Sequence, residues 1–285
     1  MDNALTIDLE EWYHICTAVP DPLTPPAGER RLRGNTGAIL AILERFQVVA
    51  TFFILGSVAE AEPSLVPLIA AAGHEIASHG WSHRLVTTLQ PEEFRDELRR
   101  TGDLLEQQCG HRPIGFRAPQ WSLGPATPWA FHILREEGFR YDSSLNPLPF
   151  VGERRGPRTP HRLDNGLWEL PPLTTASPAC NLPTGGGWGL RFFPGMLINA
   201  TVRRLNRGGF PAVIYIHPRE IDPAGPRLPL PLLKGFAAYG PRRSVAGRLT
   251  MLLARFRFTT MTRLVDQWDT VSSSRRTTPS HSSPR

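Results

Sequence analysis

The chain has 285 residues, of which 40% are hydrophobic and 20% charged, with a formal net charge of +6. This composition fits a globular protein with ample chain for a core, and an α/β barrel of this length usually forms a single domain. The basic side chains are arginines spread along the sequence, with Lys234 the only lysine, and they lack the interleaved aromatics of a nucleic-acid groove, so no nucleic-acid partner is expected.

Residues 5–10 alternate and are β-rich, which predicts a first strand ending at acidic residues. Residues 20–28 form a Pro-rich loop. Asn35 is placed to cap a helix reaching about residue 46, with Ala38, Ile39, Ile42 and Leu43 on its apolar face. Residues 48–54 are continuously apolar, as in a strand buried on both faces, and Gly56 breaks the run. Pro63 starts a helix that Gly73 stops. Residues 74–78 read as a buried strand, followed by Ser78-His79-Gly80-Trp81-Ser82-His83.

Pro91 opens an amphipathic helix to about residue 108, with Phe94, Leu98 and Leu105 turned inward. Residues 114–117 are strand-like, 127–137 helical and 139–142 strand-like again. From 146 to 194 the pattern loosens into Pro, Gly and Arg, with a strand-like 167–170 inside. The run Gly185-Gly186-Gly187 is not a phosphate loop, because no Lys-Ser/Thr follows it. Residues 194–206 predict a helix, 212–217 a buried strand ending in a histidine, 243–256 a helix and 258–261 a last strand. Residues 269–285 are rich in Ser, Thr, Arg and Pro and are expected to be a disordered tail. The strand–helix alternation predicts an α/β fold with a parallel sheet, open or closed into a barrel.

Cys16, Cys109 and Cys180 are far apart and odd in number, which fits small buried thiols better than a disulfide framework or a thiolate metal site. The longest apolar run, 46–59, is too short to span a bilayer, and Met1-Asp2-Asn3-Ala4 carries no basic leader. No integral membrane segment and a cytoplasmic location are the expectation.

His79 and His83 stand four residues apart, a spacing that sets both imidazoles on one side of a helical turn, within reach of one cation. In parallel α/β folds chemistry collects at the carboxyl ends of the strands. The predicted strands end at Asp8 and Glu10, at His79 and His83, at Arg117, at Asp142 and at His217. Together these supply a carboxylate and two histidines for a metal, a second carboxylate as base, an arginine, and a histidine as acid.

The ordered set Thr6-Ile7-Asp8-x-Glu10, His79-x-x-x-His83, Arg117-x-Pro119 and Ile216-His217 resembles the NodB-homology polysaccharide deacetylases. Asp8-Leu9-Glu10-Glu11-Trp12, Gly115-Phe116-Arg117-Ala118-Pro119, Tyr141-Asp142-Ser143-Ser144 and His217-Pro218-Arg219-Glu220-Ile221-Asp222 are similar to the branch linked to exosortase and exopolysaccharide loci. The resemblance covers residues 4–265. It implies a distorted (β/α) barrel of seven parallel strands, a deacetylase domain over 1–268 with a loop-rich insertion at about 146–194, and removal of N-acetyl groups from amino sugars of a polysaccharide or its precursor with a divalent metal, zinc foremost. On the matching positions it makes Asp8 the catalytic base, His217 the acid, Arg117 the residue that positions the base, and His79 and His83 metal ligands.

One position departs from the family pattern. Most members have two adjacent aspartates in the first motif, the second binding metal, and here Leu9 stands in that place. Residues 8 and 10 of a strand share a face while 9 points away, so Glu10 is the expected third ligand, with Glu11 in reserve. Trp121 and Trp188 are candidates to stack on sugar, and Asp142 and Glu169 to contact substrate. Two other readings stay open: a metal-independent amidohydrolase of this fold acting on a small amide, and a catalytically inactive glycan-binding protein.

Overall fold

The structure is a computed structural model and describes residues 1–15, 23, 26, 28–149, 151–152, 156–240 and 244–276. In chain order its elements are β1 (Asp2–Leu9), α1 (Leu32–Arg45), β2 (Thr51–Ile54), α2 (Gly56–Ala61), α3 (Leu65–Ala71), β3 (Glu75–Ser78), α4 (Pro91–Cys109), β4 (Gly115–Phe116), α5 (Pro128–Glu136) and β5 (Tyr141–Asp142). The second half adds β6 (His161–Arg162), β7 (Trp168–Glu169), β8 (Thr175–Ala176), β9 (Asn181–Leu182), α6 (Gly187–Phe192), α7 (Gly195–Arg207), β10 (Val213–Ile216), α8 (Leu232–Tyr239), α9 (Ala246–Leu253), β11 (Arg257–Thr259) and α10 (Met261–Arg276).

Seven strands run parallel in the order β10-β1-β2-β3-β4-β5-β7. β6 adds antiparallel at the β7 end, and β11 pairs parallel with the first residues of β1. The expected α/β architecture and its curled parallel sheet are therefore present. The far ends of the sheet approach each other through loops. Leu173 N–H donates to Val213 O (2.8 Å), and Tyr215 N–H donates to Gly185 O (2.9 Å). The glycine run thus lies along the free edge of β10. A Cβ on Gly186 would come within 2.3 Å of the Tyr215 carbonyl oxygen, so only glycine allows this approach.

Alternation in β1 divides the chain's two tasks. Leu5, Ile7 and Leu9 are fully buried against Ile39 and Leu43 of α1, Val66 and Ile69 of α3, and Leu249 and Leu252 of α9. Burial of that kind contributes about 2 kcal/mol per side chain. The alternate residues Ala4, Thr6 and Asp8 face the interior of the curl. That interior is filled at the lower end by Phe53, Ala77, Tyr141 and Leu170, and by Met261, Leu264 and Val265 of α10. Met261 N–H donates to Thr51 Oγ1 (2.9 Å), which fastens α10 beneath the amino-terminal ends of the strands and leaves the carboxyl ends for the site.

Several local expectations are corrected. α1 begins at Leu32, so Asn35 lies inside it and caps nothing. Gly56 ends β2 but also opens α2, a helix not expected from the sequence. α8 was likewise not foreseen, and 146–194 holds short strands and α6 as well as loop. α9 begins at Ala246, residues 241–243 lying outside the described residues. α10 continues to Arg276, past the point where the composition changes; residues 277–285 of the expected tail lie outside the described residues, as do Cys16 and most of the Pro-rich loop 20–28. Among the described residues no helix is long and apolar enough to cross a membrane.

Candidate active site

The site grows from the end of β1. The strand stops at Leu9, and Glu10 N–H donates back to Asp8 O (3.0 Å), a tight turn that keeps both acidic side chains at the open end of the curl. Glu10 is buried, with Oε1 3.1 Å from His79 Nε2 and 3.0 Å from His83 Nε2. Glu11, the reserve candidate, turns elsewhere and accepts a hydrogen bond from Trp12 N–H (3.3 Å).

His79 and His83 do not share a helical turn. They sit on an irregular loop after β3 in which Gly80 and His83 adopt left-handed conformations (φ +78° and +61°). Loop backbone geometry therefore replaces helical periodicity in bringing the rings together. The loop is fastened on two sides. Gly56 and Ser57, at the start of α2, donate to Gly80 O (2.9 Å) and Trp81 O (3.2 Å). Glu97 of α4 accepts from Trp81 N–H (3.0 Å), from Ser82 N–H (3.3 Å) and from the Ser82 hydroxyl. His14, to which the sequence assigned no role, stacks on His83 with ring centroids 5.0 Å apart.

Asp8 Oδ1 accepts from Arg117 Nη1 at 2.6 Å, and both groups are buried. Arg117 also donates from Nη1 to Thr6 Oγ1 (2.7 Å), from Nε to Ser143 O (3.1 Å) and from Nη2 to Ser143 Oγ (2.8 Å). Its guanidinium lies over the rings of Phe53 (4.1 Å) and Trp121 (5.0 Å). Each oriented nitrogen has a separate task, which a lysine could not reproduce.

Across the site, His217 Nε2 lies 3.8 Å from Asp8 Oδ2 and 4.0 Å from Glu10 Oε1. Its Nδ1 faces Glu220 Oε2 at 3.3 Å, and its backbone N–H donates to the same oxygen (3.0 Å). Glu220 was missed in the sequence. The signal was present: Pro218 after His217 and a glutamate three residues on is a helix-start pattern, and here a short 3₁₀ turn uses it. Burial alone would raise the Glu220 carboxyl; the His217 hydrogen bond and charge, with Arg191 and Arg219, bring it down to about 2. Burial likewise opposes ionisation of Glu10, yet the charges of His83 and His217 and hydrogen bonds from both loop histidines hold it well below the carboxylate range.

The donor set fits a divalent metal. His79 Nδ1 donates to Arg117 O (2.7 Å), which fixes the ring with Nε2 toward Glu10; that nitrogen donates to the Glu10 carboxylate here and would give its lone pair to a bound metal. The three ligand atoms of Glu10, His79 and His83 lie within 4.8 Å of one another. Metal–ligand bonds of zinc length set tetrahedral ligand atoms about 3.3 Å apart, close to the separations here. The remaining side opens toward Asp8 and His217, which form a second cluster with Glu10.

Other expected residues are placed differently. Asp142 and Glu169 are fully buried, so neither offers a surface to substrate. Asp142 Oδ1 accepts from Ser144 Oγ (2.5 Å), whose oxygen accepts from Ala118 N–H (2.8 Å), and Glu169 Oε1 accepts from Leu145 N–H (3.1 Å). They brace the segment behind Arg117. Burial raises the Asp142 carboxyl to about 6, and burial with the Asp142 charge raises Glu169 well above the carboxylate range, so Glu169 holds the proton. A raised carboxyl favours the fold below its unfolded pKa and loses that contribution as pH rises through the folded value. Glu169→Gln is therefore expected to flatten the melting temperature between pH 5 and 8 relative to the wild type, which falls from the ordinary carboxylate range upward as the buried pair loses its proton; parallel melting curves for the two would refute the pair's role.

Trp121 lies beside the site. Its left-handed backbone (φ +59°) presents the half-buried ring beside Arg117 and 4.9 Å from the Tyr215 ring. Trp188 instead packs in an aromatic cluster, stacked on Phe192 (4.9 Å) with Phe193 and Phe236 alongside.

Residues 24–140 match the polysaccharide deacetylase family. Residues 143–266 match a domain of unknown function (DUF3473). The deacetylase match holds His79, His83 and Arg117; Asp8 and Glu10 precede it, and His217 and Glu220 fall in the second match. The chain is 37% identical over 116 residues to a peptidoglycan deacetylase-like protein from Gibberella zeae, covering 40% of this chain and 33% of that one. It is 30% identical over 107 residues to a peptidoglycan deacetylase from Helicobacter pylori, covering 38% and 36%. The chain thus spans about a third of the length of these curated relatives. A crystal structure assigned as a polysaccharide deacetylase from Mycobacterium smegmatis shares the fold (TM-score 0.62, 23% identity, covering 100% of this chain and 96% of that one). Deacetylases are hydrolases, the enzyme class these sequence comparisons share.

Leu9, where the deacetylase pattern has a ligand, is fully buried among helix side chains on the opposite face from the site. Leu9→Asp is expected to cost about 4 kcal/mol of stability, by urea unfolding, and to add no metal affinity, because the new carboxylate would lie in the apolar layer.

Proposed function

We propose that the chain is a metal-dependent hydrolase that removes N-acetyl groups from amino sugars of a polysaccharide, an exopolysaccharide or its precursor. One observation carries the reading: the Glu10–His79–His83 cluster is flanked by an arginine-held carboxylate on one side and a carboxylate-held histidine on the other. Base and acid thus face one small volume beside a metal-ligand set.

Glu10, His79 and His83 would hold the metal, which when bound polarises the acetamide carbonyl and makes water more acidic. Asp8, oriented by Arg117, accepts the proton from water as its oxygen attacks the carbonyl carbon. His217 carries its proton on Nε2 toward Asp8 and Glu10, while Glu220 holds Nδ1 and stabilises the imidazolium. That proton passes to the departing nitrogen as the C–N bond breaks, giving acetate and a free amine. Trp121, over Arg117 and half-buried, supplies an apolar face beside the reacting group.

The test is acetate release from N-acetylglucosamine oligomers, with metal analysis of the purified protein. The wild type is expected to release acetate and to lose activity with a chelator, and Glu10→Ala to lose metal at least about tenfold. Full metal occupancy in Glu10→Ala would remove Glu10 from the ligand set. Chelator-resistant turnover of a small amide would favour the metal-independent reading. Glycan binding without acetate release would favour the inactive one.

A further inference from the structure

A second concave site adjoins the first on the far side of Glu220. It is a solvent-open cleft lined by Arg31, Arg191, Arg219 and Arg227, with Glu220 and Asp222 as its lining carboxylates. Four guanidinium groups and two carboxylates line the cleft, and two further carboxylates, Glu29 and Glu10, reach Arg31 and Arg219 from outside the lining.

Each arginine is held in place by what it already touches. Arg31 lies between Glu29 (Nη2 to Oε2, 2.8 Å) and Asp222 (Nη1 to Oδ2, 3.2 Å), Arg219 Nη1 lies 3.2 Å from Glu10 Oε2, and Arg191 lies 3.6 Å from Glu220 Oε1 and donates from Nη2 to Ala238 O (3.0 Å). Arg227 rests over the Tyr239 ring at 5.0 Å. The hydrogen-bonding capacity of the group is not exhausted. The Nε atoms of Arg31 and Arg219 are buried without an acceptor among the described residues. Buried guanidinium donors lacking acceptors, in a concave site lined by four arginines, match an incoming group with several anionic oxygens.

Position ties the cleft to the reaction. Glu220 faces His217 with Oε2 and the cleft with Oε1, and Arg219 reaches from the cleft to Glu10. A sugar bound with its acetamide at Glu10 and His217 would project a neighbouring unit toward the arginines. We infer that the cleft is a subsite for an oxyanion of the glycan, a carboxylate or a phosphate ester carried next to the acetylated sugar. The inference rests on the deacetylase reading for its placement along a glycan, and it names an acidic rather than a neutral polymer as the substrate class.

The test uses the full chain and the double variant Arg31→Gln/Arg227→Gln, whose altered side chains lie at the partly exposed rim. Calorimetric titration at low salt with glucuronate, inorganic phosphate and glucuronamide is the first arm. At least one anion is expected to bind, the neutral amide not to, and the double variant to weaken anion binding at least about tenfold with an unchanged melting temperature. The tighter of the two anions identifies the group. Binding of glucuronamide as tight as glucuronate, no binding of either anion, or full affinity in the double variant would each overturn the inference. The second arm compares acetate release from N-acetylated oligomers with and without a neighbouring uronic acid. The variant's KM is expected to rise at least about tenfold more for the acidic oligomer, and an equal change for both would count against the subsite. Absence of acetate from both oligomers would sink the deacetylase reading while leaving the cleft to be judged by titration.

Discussion

Asp8→Asn is expected to slow acetate release by about 10²- to 10⁴-fold, the range typical for loss of a general base. The substitution keeps an oxygen in place to accept from Arg117 and changes little in volume, so the surrounding bonds to Thr6 and Ser143 have no reason to rearrange. What it removes is the capacity to take a proton. The loss should fall on kcat, with KM and metal content close to wild type, because Glu10, His79 and His83 are untouched. Steady-state kinetics beside metal analysis distinguishes this from collapse of the site. Retention of activity within tenfold of wild type would show that another group accepts the proton, and would remove Asp8 from the mechanism.

Arg117→Ala is expected to cost about 3–5 kcal/mol in urea unfolding, the range for breaking a buried ion pair from one side. The case for so large a value is its full burial together with four hydrogen bonds to Thr6, Asp8 and both oxygens of Ser143. Truncation leaves the Asp8 carboxylate buried without its guanidinium, with the His217 ring 3.8 Å away, and strips donors from three acceptors besides. Arg117→Lys should recover only part of the loss, since one ammonium cannot reach all of those acceptors. A cost below about 1 kcal/mol would mean that water replaces the guanidinium, and that the interior is wetter than its burial implies.

Much of this site was legible because strands alternate. Period two put Asp8 and Glu10 on one face and Leu9 on the other before any coordinates, and the structure has that division. Continuous apolar runs marked the central strands, and polar residues at their ends marked the open rim. Legibility stopped where backbone conformation, not periodicity, decides position. The His79–His83 pair meets through left-handed loop residues, which four-residue spacing does not encode. Asp142 and Glu169 look from sequence like strand-end acids available to substrate, yet sharing one proton lets both be buried behind Arg117. His14 stacks on His83 after a turn whose path nothing in the residue types specifies. The arginines of the second cleft come from four separate places, 31, 191, 219 and 227, so no local pattern announces them.

The Arg117–Asp8 bond joins β4 to β1 with two strands between them. In a flat sheet those strands would stand about 14 Å apart, with side chains upright and unable to meet. The 2.6 Å bond is thus a chord drawn across an arc, and its length is a gauge of how tightly the arc is bent. Curvature and protonation chemistry become one variable: a change that relaxes the bend, however remote, lengthens the chord and frees the base. Mutations in the outer helices that never approach the site can therefore be expected to register first as a shift in its acid–base behaviour.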